Sequence, residues 1–200
     1  FLPQESAPTG EESVIELVCA VSGKFAKAAL NLGALGKAKG GEPSDEDYEV
    51  FESAGGARLI AKGRQILSGL SFKDNDFDRP ARELSGGWVM RAHLARLLVM
   101  EPDLLMLDEP TNHLDLDSLI WLEGYLQNYP GAILLISHDR EFLNLLVRHV
   151  VELEGGEATR YTGNYESYLV QRSANEAQRM AAYENQQKEI ERLMKFVDRF

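Results

Sequence analysis

Residues 104–115 read Leu-Leu-Met-Leu-Asp-Glu-Pro-Thr-Asn-His-Leu-Asp. The four apolar residues form a short run that is apolar on both faces, which is typical of a strand buried in a parallel sheet with helices on both sides. The strand brings two carboxylates, Asp108 and Glu109, to its C-terminal end, where open α/β sheets bind their ligands. The stretch therefore predicts an α/β domain with a ligand site at this strand end.

The two adjacent acids also indicate a chemistry. Asp108 and Glu109 repel each other unless a cation or a proton is shared between them. A Mg²⁺ ion held near Asp108 removes that repulsion and leaves Glu109 to polarise a water, which is what a phosphate-hydrolysing site needs. A strand that simply ends in solvated acids is the alternative, and the pair alone does not exclude it.

A second apolar run, Ala-Ile-Leu-Leu-Ile at 132–136, predicts a second buried strand. The residues between the runs have helical spacing from 116 to 129, so strand, helix and strand form a right-handed crossover. The second strand ends in Ser137, His138 and Asp139. A neutral imidazole there can donate to a phosphate oxygen, although a lone histidine after a strand is more often structural.

Upstream, residues 84–88 read Leu-Ser-Gly-Gly-Trp. Ser85 is placed to cap the helix that follows and ends before Pro102. Gly86 and Gly87 let backbone amides come close to an anion at the helix N-terminus. An ordinary capped helix after a turn is the alternative, because Ser-Gly-Gly alone is common.

The flanks predict helices and a hairpin. Residues 1–83 indicate a short extended start and two helical stretches joined by a loop at 33–47. Runs at 149–153 and 158–162 flank Glu-Gly-Gly-Glu, a hairpin signal. Residues 165–200 contain no Gly or Pro, which favours a long helix of the coiled-coil arm type. The basic residues of this helix are Arg172, Arg179, Lys188, Arg192, Lys195 and Arg199.

Composition excludes several classes of protein. The 200 residues carry a formal net charge of −11, so the chain has no global basic footprint for nucleic acid, although a local basic patch is compatible with this charge. Cys19 is the only cysteine, which excludes an internal disulfide and fits a reducing compartment. No apolar run is long enough for a transmembrane helix, and no signal peptide opens the chain. The chain opens without Met, and we expect it to be a piece of a longer protein.

In order and spacing, these motifs resemble those of ABC ATPases. Residues 84–88 resemble the signature motif, 104–109 the Walker B strand, 110–115 the D-loop, and 137–139 the switch-histidine segment. Trp88 and the run Leu-Asp-Glu-Pro-Thr-Asn-His-Leu-Asp at 107–115 narrow the resemblance to the ABC-F subfamily, as does Arg91 in the pattern Trp-x-Met-Arg. Residues 161–165, Tyr-Thr-Gly-Asn-Tyr, resemble the start of that subfamily's inter-domain linker.

The resemblance implies the fold class and the domains. It implies an α/β, P-loop NTPase-like ABC domain that is partial, has a helical subdomain and is followed by a long α-helical linker arm. The expected divisions are a Q-loop and helical subdomain at 1–83, the ABC catalytic core at 84–163, and the start of the linker at 164–200. No Gly-x-x-x-x-Gly-Lys-Ser/Thr phosphate loop occurs in the sequence. Because Phe1–Glu5 resembles the Q-loop, we expect that loop just before Phe1.

The resemblance also implies roles at two nucleotide sites, since ABC domains pair head to tail around two ATP molecules. Ser85, Gly86 and Gly87 would face ATP held by the partner domain. The remaining residues would serve this domain's own ATP and its Mg²⁺. There Glu109 would position or deprotonate the attacking water, and His138 would meet the γ-phosphate. Asp108 and Gln4 would organise Mg²⁺ largely through water. Asp115 would couple the two sites.

The implied protein is a cytoplasmic ATPase whose partners are a second ABC domain of the same chain and, through the arm, the ribosome and its tRNA. We expect residues 1–200 alone to bind ATP weakly and to hydrolyse little. Three alternatives use related motifs. A membrane-transporter ATPase subunit would lack the arm, a chromosome-maintenance ATPase would carry its coil before the signature, and a non-catalytic ABC-derived binding module would keep the motifs as structure.

Overall fold

The computed structural model describes residues 11–35 and 41–197, and the chain forms two compact units, within residues 1–138 and 139–200. No helix in the described ranges is long and apolar enough to cross a bilayer. The elements of the first unit are α1 (Val14–Cys19), α2 (Gly23–Asn31), α3 (Asp45–Ser53), α4 (Gly56–Gly69), α5 (Gly86–Met100), β1 (Leu104–Asp108), α6 (Leu116–Gln127) and β2 (Ala132–Ile136). Those of the second unit are α7 (Arg140–Leu146), β3 (His149–Glu154), β4 (Glu157–Thr162) and α8 (Tyr165–Val197).

In the described residues, four α-helices precede residue 83, so each of the two predicted helical stretches divides into two helices, and α3 begins at Asp45 inside the predicted loop. Ser13, Ser22 and Ser44 each begin a helix, because each side chain accepts a hydrogen bond from a backbone N–H of the following turn. Such a bond satisfies a helix donor that would otherwise lack a partner. The helices α1 and α2 are only six and nine residues long, which is too short for clear helical periodicity in the sequence.

The core of the first unit is built around α1, which packs against α4 and α5. Val14, Ile15, Val18 and Cys19 are completely buried. Burial raises the pKa of the Cys19 thiol to about 12. The cysteine is therefore a small core residue with little thiolate at neutral pH.

The predicted strand–helix–strand unit is confirmed. β1 and β2 are parallel and in register from Leu104 opposite Ala132 to Asp108 opposite Ile136, and α6 connects them. The prediction that both faces of β1 are buried was wrong. Leu105 and Leu107 are almost fully buried, whereas Leu104 is 53% and Met106 is 49% exposed. The reason is that the described elements cover only one face of this two-stranded sheet, so the apolar run alternates between buried and exposed side chains.

This one-sided burial predicts a difference between neighbouring substitutions on β1. Leu105→Ala is expected to lower the free energy of unfolding of the chain by roughly 2–5 kcal/mol, because it removes buried methyl groups and leaves a cavity. Met106→Ala, on the exposed face, is the matched control and should cost less than about 1 kcal/mol. Denaturant unfolding of the two variants measures both values. Equal losses would contradict the observed burial pattern.

The second unit contains the predicted hairpin. β3 and β4 are antiparallel and pair from His149 opposite Thr162 to Glu154 opposite Glu157. Gly155 and Gly156 make the turn with φ values of 59° and 85°. Left-handed backbone at two successive turn residues is what a tight hairpin requires, and glycine adopts it without steric cost.

The first turns of α8 are fixed to this hairpin by Glu152. The carboxylate accepts hydrogen bonds from the hydroxyls of Tyr168 (2.9 Å) and Tyr161 (3.0 Å) and pairs with Arg172 at 2.9 Å. These contacts, led by the Tyr168 hydroxyl, hold the pKa of Glu152 below its usual value. Beyond Arg172, every residue of α8 up to Val197 is exposed. The predicted long helix is confirmed, and it projects from a root at Glu152.

Candidate functional site at the sheet edge

The carboxyl ends of β1 and β2 bring the predicted acids and the predicted histidine together. Asp108 is the register partner of Ile136, and the backbone N–H of Glu109 donates to the carbonyl of Ile136 at 2.8 Å. Two residues after Ile136, the backbone N–H of His138 donates to Glu109 Oε2 at 3.2 Å. The side chains predicted from two separate stretches therefore lie at one sheet edge, as parallel pairing requires.

Glu109 has two unusual features. Its φ is +47°, in the left-handed region that a residue with a Cβ rarely adopts. Its carboxylate is largely buried, and Oε1 has no hydrogen-bond partner among the described residues. Nε2 of the His138 imidazole lies 3.6 Å from Oε1, beyond hydrogen-bond range. Strained backbone and an unpaired buried acceptor each cost free energy, and native proteins keep such features mainly at functional sites.

His138 presents the opposite environment. Its side chain is 98% exposed, although its backbone is tied to Glu109. An exposed imidazole beside a carboxylate is free to turn toward a ligand in front of the sheet edge. The geometry therefore places an exposed nitrogen donor 3.6 Å from a buried acceptor, Glu109 Oε1.

Asp108, one residue before Glu109, is exposed at the strand end. Among the described residues, no group of three or more His, Cys, Asp or Glu side chains is arranged to hold a metal ion. Mg²⁺ usually keeps several waters and takes only one or two carboxylates together with phosphate oxygens. Asp108 fits that mode, in which the protein supplies few direct ligands. Gln4, the other predicted Mg²⁺ residue, lies outside the described residues.

The stretch 84–88 sits at the start of α5, but Ser85 does not cap it as predicted. Ser85 occupies the N-cap position, and its carbonyl accepts the bond from Val89 N–H at 3.0 Å, but its side chain makes no capping hydrogen bond. The helix therefore begins with this backbone hydrogen bond and without a bond from the Ser85 hydroxyl. Ser85 and Gly86 are exposed, which leaves the hydroxyl and the first helix amides accessible to an anion.

The start of α5 approaches the turn that follows β1. A Cβ atom at Gly87 would lie 3.3 Å from the Cβ of His113, so glycine permits this close contact. A cavity of about 510 Å³ lies between α5 and the turn, lined by Met90, Arg91, Leu94, Leu107, Asp108, Glu109, Pro110, Asn112, His113 and Leu114. Residues 84–88 and the turn after β1, to which the family resemblance assigns different ATP molecules, are therefore neighbours within one unit.

Asp115 has hydrogen-bond partners that sequence reasoning missed. Its Oδ1 accepts from the backbone N–H of Ser118 at 2.9 Å and caps α6, while its Oδ2 receives Arg91 Nη1 at 2.7 Å. The Ser118 N–H bond, followed by the Arg91 bond, holds the pKa of Asp115 far below its usual value. The sequence showed Arg91 only as part of a motif. Its pairing with a residue 24 positions away had no local signal.

Comparison with known proteins agrees with these motifs. Two family models, both described as ABC transporter, match residues 10–112 and 151–200. The probable ATP-binding protein YheS of Escherichia coli K12 is 47% identical over 71% of this chain and 22% of its own length. YheS of Haemophilus influenzae is 37% identical over 98% of this chain and 31% of its own length. Human ATP-binding cassette sub-family F member 3 is 40% identical over 84% of this chain and 24% of its own length.

Solved structures show the same fold. The ATP-binding subunit of an ABC transporter superposes with a TM-score of 0.55 at 19% identity, covering 80% of this chain and 57% of that one. RNase-L inhibitor superposes with a TM-score of 0.51 at 21% identity, covering 84% and 28%. The chain spans less than a third of the length of the sequence relatives just named. Its motifs, its matched models and these relatives together place the chain in the ABC transporter family and, within it, among the ABC-F ATP-binding proteins.

Proposed function

We propose that this chain is the part of an ABC-F ATPase that supplies the catalytic carboxylate at one ATP site and the signature residues at a second. The observation that carries the proposal is the buried, unpaired Oε1 of Glu109 at the sheet edge, beside the exposed imidazole of His138. A buried acceptor without a partner is suited to take a hydrogen bond from an attacking water. The relatives named as ATP-binding proteins support the substrate.

In this proposal the residues divide the work by position. Glu109 orients and deprotonates water, and His138 turns its imidazole to an oxygen of the γ-phosphate. Asp108, with Gln4, would hold Mg²⁺ largely through water, and the ion supplies charge neutralisation to the phosphates when bound. Ser85, Gly86 and Gly87 offer a hydroxyl and helix amides to ATP on a partner domain. Positioning and charge stabilisation then provide most of the rate enhancement.

For partners, we propose a second ABC domain of the same protein and the ribosome, reached in the cytoplasm through α8 acting as a coiled-coil arm. The basic residues of the exposed helix α8 differ in whether they form ion pairs. Arg172 is engaged at the root by Glu152 and Glu176, so it is not a candidate for an RNA contact. Lys188 and Lys195 form no ion pair among the described residues and are free to meet phosphates. Arg199 lies outside the described residues.

The test is co-sedimentation with ribosomes of the whole protein that carries Glu109→Gln and the matching change in its second ABC domain. We expect retention with Mg·ATP and loss with ADP. Adding Lys188→Glu and Lys195→Glu should weaken retention and leave ATP binding unchanged, because both side chains lie on the exposed arm. Lys24→Glu together with Lys27→Glu, two exposed lysines of α2, is the charge-matched control.

The outcomes separate the two halves of the proposal. ATP binding without any ribosome retention would leave the ATPase standing and remove the translation role. Retention that is equal with ATP and with ADP would contradict control by ATP. Retention that the arm substitutions leave unaltered would move the contact away from Lys188 and Lys195.

A further inference from the structure

Arg91 lies less than two helical turns after Ser85, and its guanidinium reaches the turn after β1. Its Nε donates to the carbonyl of His113 at 2.8 Å, and its Nη1 donates to Asp115 Oδ2 at 2.7 Å. The side chain is only about 10% exposed. A forked contact of this kind fixes both the position and the direction of its partner, which a lysine ammonium cannot reproduce.

The contacts of Arg91 are connected to those of Trp88, Phe72 and Ser71. The guanidinium lies 4.6 Å above the ring of Trp88, and Trp88 in turn meets the edge of Phe72 with ring centroids 4.8 Å apart. Next to Phe72, the hydroxyl of Ser71 donates to Asp115 Oδ1 at 3.1 Å. These five residues, named the Arg91 clamp, therefore join the end of α4, the first turns of α5 and the turn that leads into α6.

The turn held by the clamp needs such support. His113 has a φ of +69° and Glu109 a φ of +47°, so two residues with side chains adopt left-handed backbone within five positions. Conformations of this kind persist only where surrounding contacts over-determine them. Arg91 binds the carbonyl of His113 itself, and Gly87 packs against its Cβ.

We propose that Arg91 is a positioning residue that locks the turn carrying Glu109 and Asp115 to the start of α5 that carries Ser85. This inference rests on the proposed function and deepens it, because Ser85 and Glu109 would then serve two different ATP sites. Movement of Ser85 onto one nucleotide would be passed through the clamp to the turn next to Glu109. In this proposal Arg91 acts through the turn and not on a reacting atom.

The experiment compares Arg91→Met and Arg91→Lys in the whole protein. Arg91→Met should lower kcat for ATP about tenfold or more with KM changed less than about twofold, since misplaced catalytic groups lose rate and not ground-state binding. Arg91→Lys, which keeps the charge but not the fork, should give an intermediate kcat. Arg96→Met is the matched control: Arg96 lies on the same helix but donates to the carbonyl of Ala20, away from the turn.

A second readout needs no activity. The amides of Asn112 and Leu114 form the hydrogen bonds within the turn, to Glu109 and Thr111, and should exchange with deuterium faster in Arg91→Met than in Arg96→Met. Unchanged exchange, or faster exchange with unchanged kcat, would overturn the inference. A wild-type protein without ATP hydrolysis would contradict the proposed function, whereas faster exchange in Arg91→Met would still support the positioning of the turn by Arg91.

Discussion

Replacing Glu109 by Gln in the whole protein is expected to reduce kcat for ATP hydrolysis by roughly 100- to 10,000-fold, the usual contribution of a positioned general base. The amide keeps the size of the side chain and still accepts the hydrogen bond from the backbone N–H of His138 through its oxygen. It cannot take the proton of an attacking water. Phosphate release under saturating ATP, with the second domain carrying the same change, measures the loss.

The matched control for this prediction is Glu49→Gln, the same chemical change on an exposed residue of α3. It should leave kcat within about twofold of the wild type, because surface substitutions away from special features have small effects. A similar loss in both variants would mean that general destabilisation, and not removal of a base, explains the result for Glu109→Gln.

Asp108→Asn is expected to have the next largest effect, a fall in kcat of about 100-fold or more, and it should raise the Mg²⁺ concentration required for half-maximal activity. The reason is that a carboxylate which organises the ion supports several kcal/mol of charge stabilisation in the transition state, and each 1.36 kcal/mol is tenfold in rate. Titration of ATP hydrolysis with Mg²⁺ measures both quantities.

Asp103 provides the control for that substitution, because it is an exposed aspartate immediately before the opposite end of β1. Asp103→Asn should change neither kcat nor the Mg²⁺ requirement. If Asp108→Asn keeps a wild-type Mg²⁺ dependence, Asp108 has no part in holding the ion, and the proposed role belongs elsewhere.

Sequence reasoning recovered the elements with strong local signals. The parallel pair β1 and β2, the crossover α6, the glycine turn of the hairpin and the long α8 all follow from periodicity and turn chemistry over short windows. It also placed Glu109 and His138 at the C-terminal ends of two predicted strands. Parallel strands bring these ends to one edge of the sheet, where the two residues are in contact.

What it missed depends on contacts between distant residues. An apolar run of four residues cannot show which face of β1 is covered, so the exposure of Leu104 and Met106 was invisible. Ser85 stands in a typical capping position, and only the folded geometry shows that its hydroxyl makes no capping bond. The pairing of Arg91 with Asp115 joins two segments separated by a helix end, a strand and a turn.

The central claim is that Glu109 acts on ATP after it is bound. The most direct test identifies the nucleotide that stays on the Glu109→Gln protein, with the matching change in the second domain, after incubation with Mg·ATP and removal of free nucleotide. The account predicts intact ATP, because binding residues are unchanged and the proton acceptor is gone. Bound ADP, or no bound nucleotide in a folded protein, would contradict it.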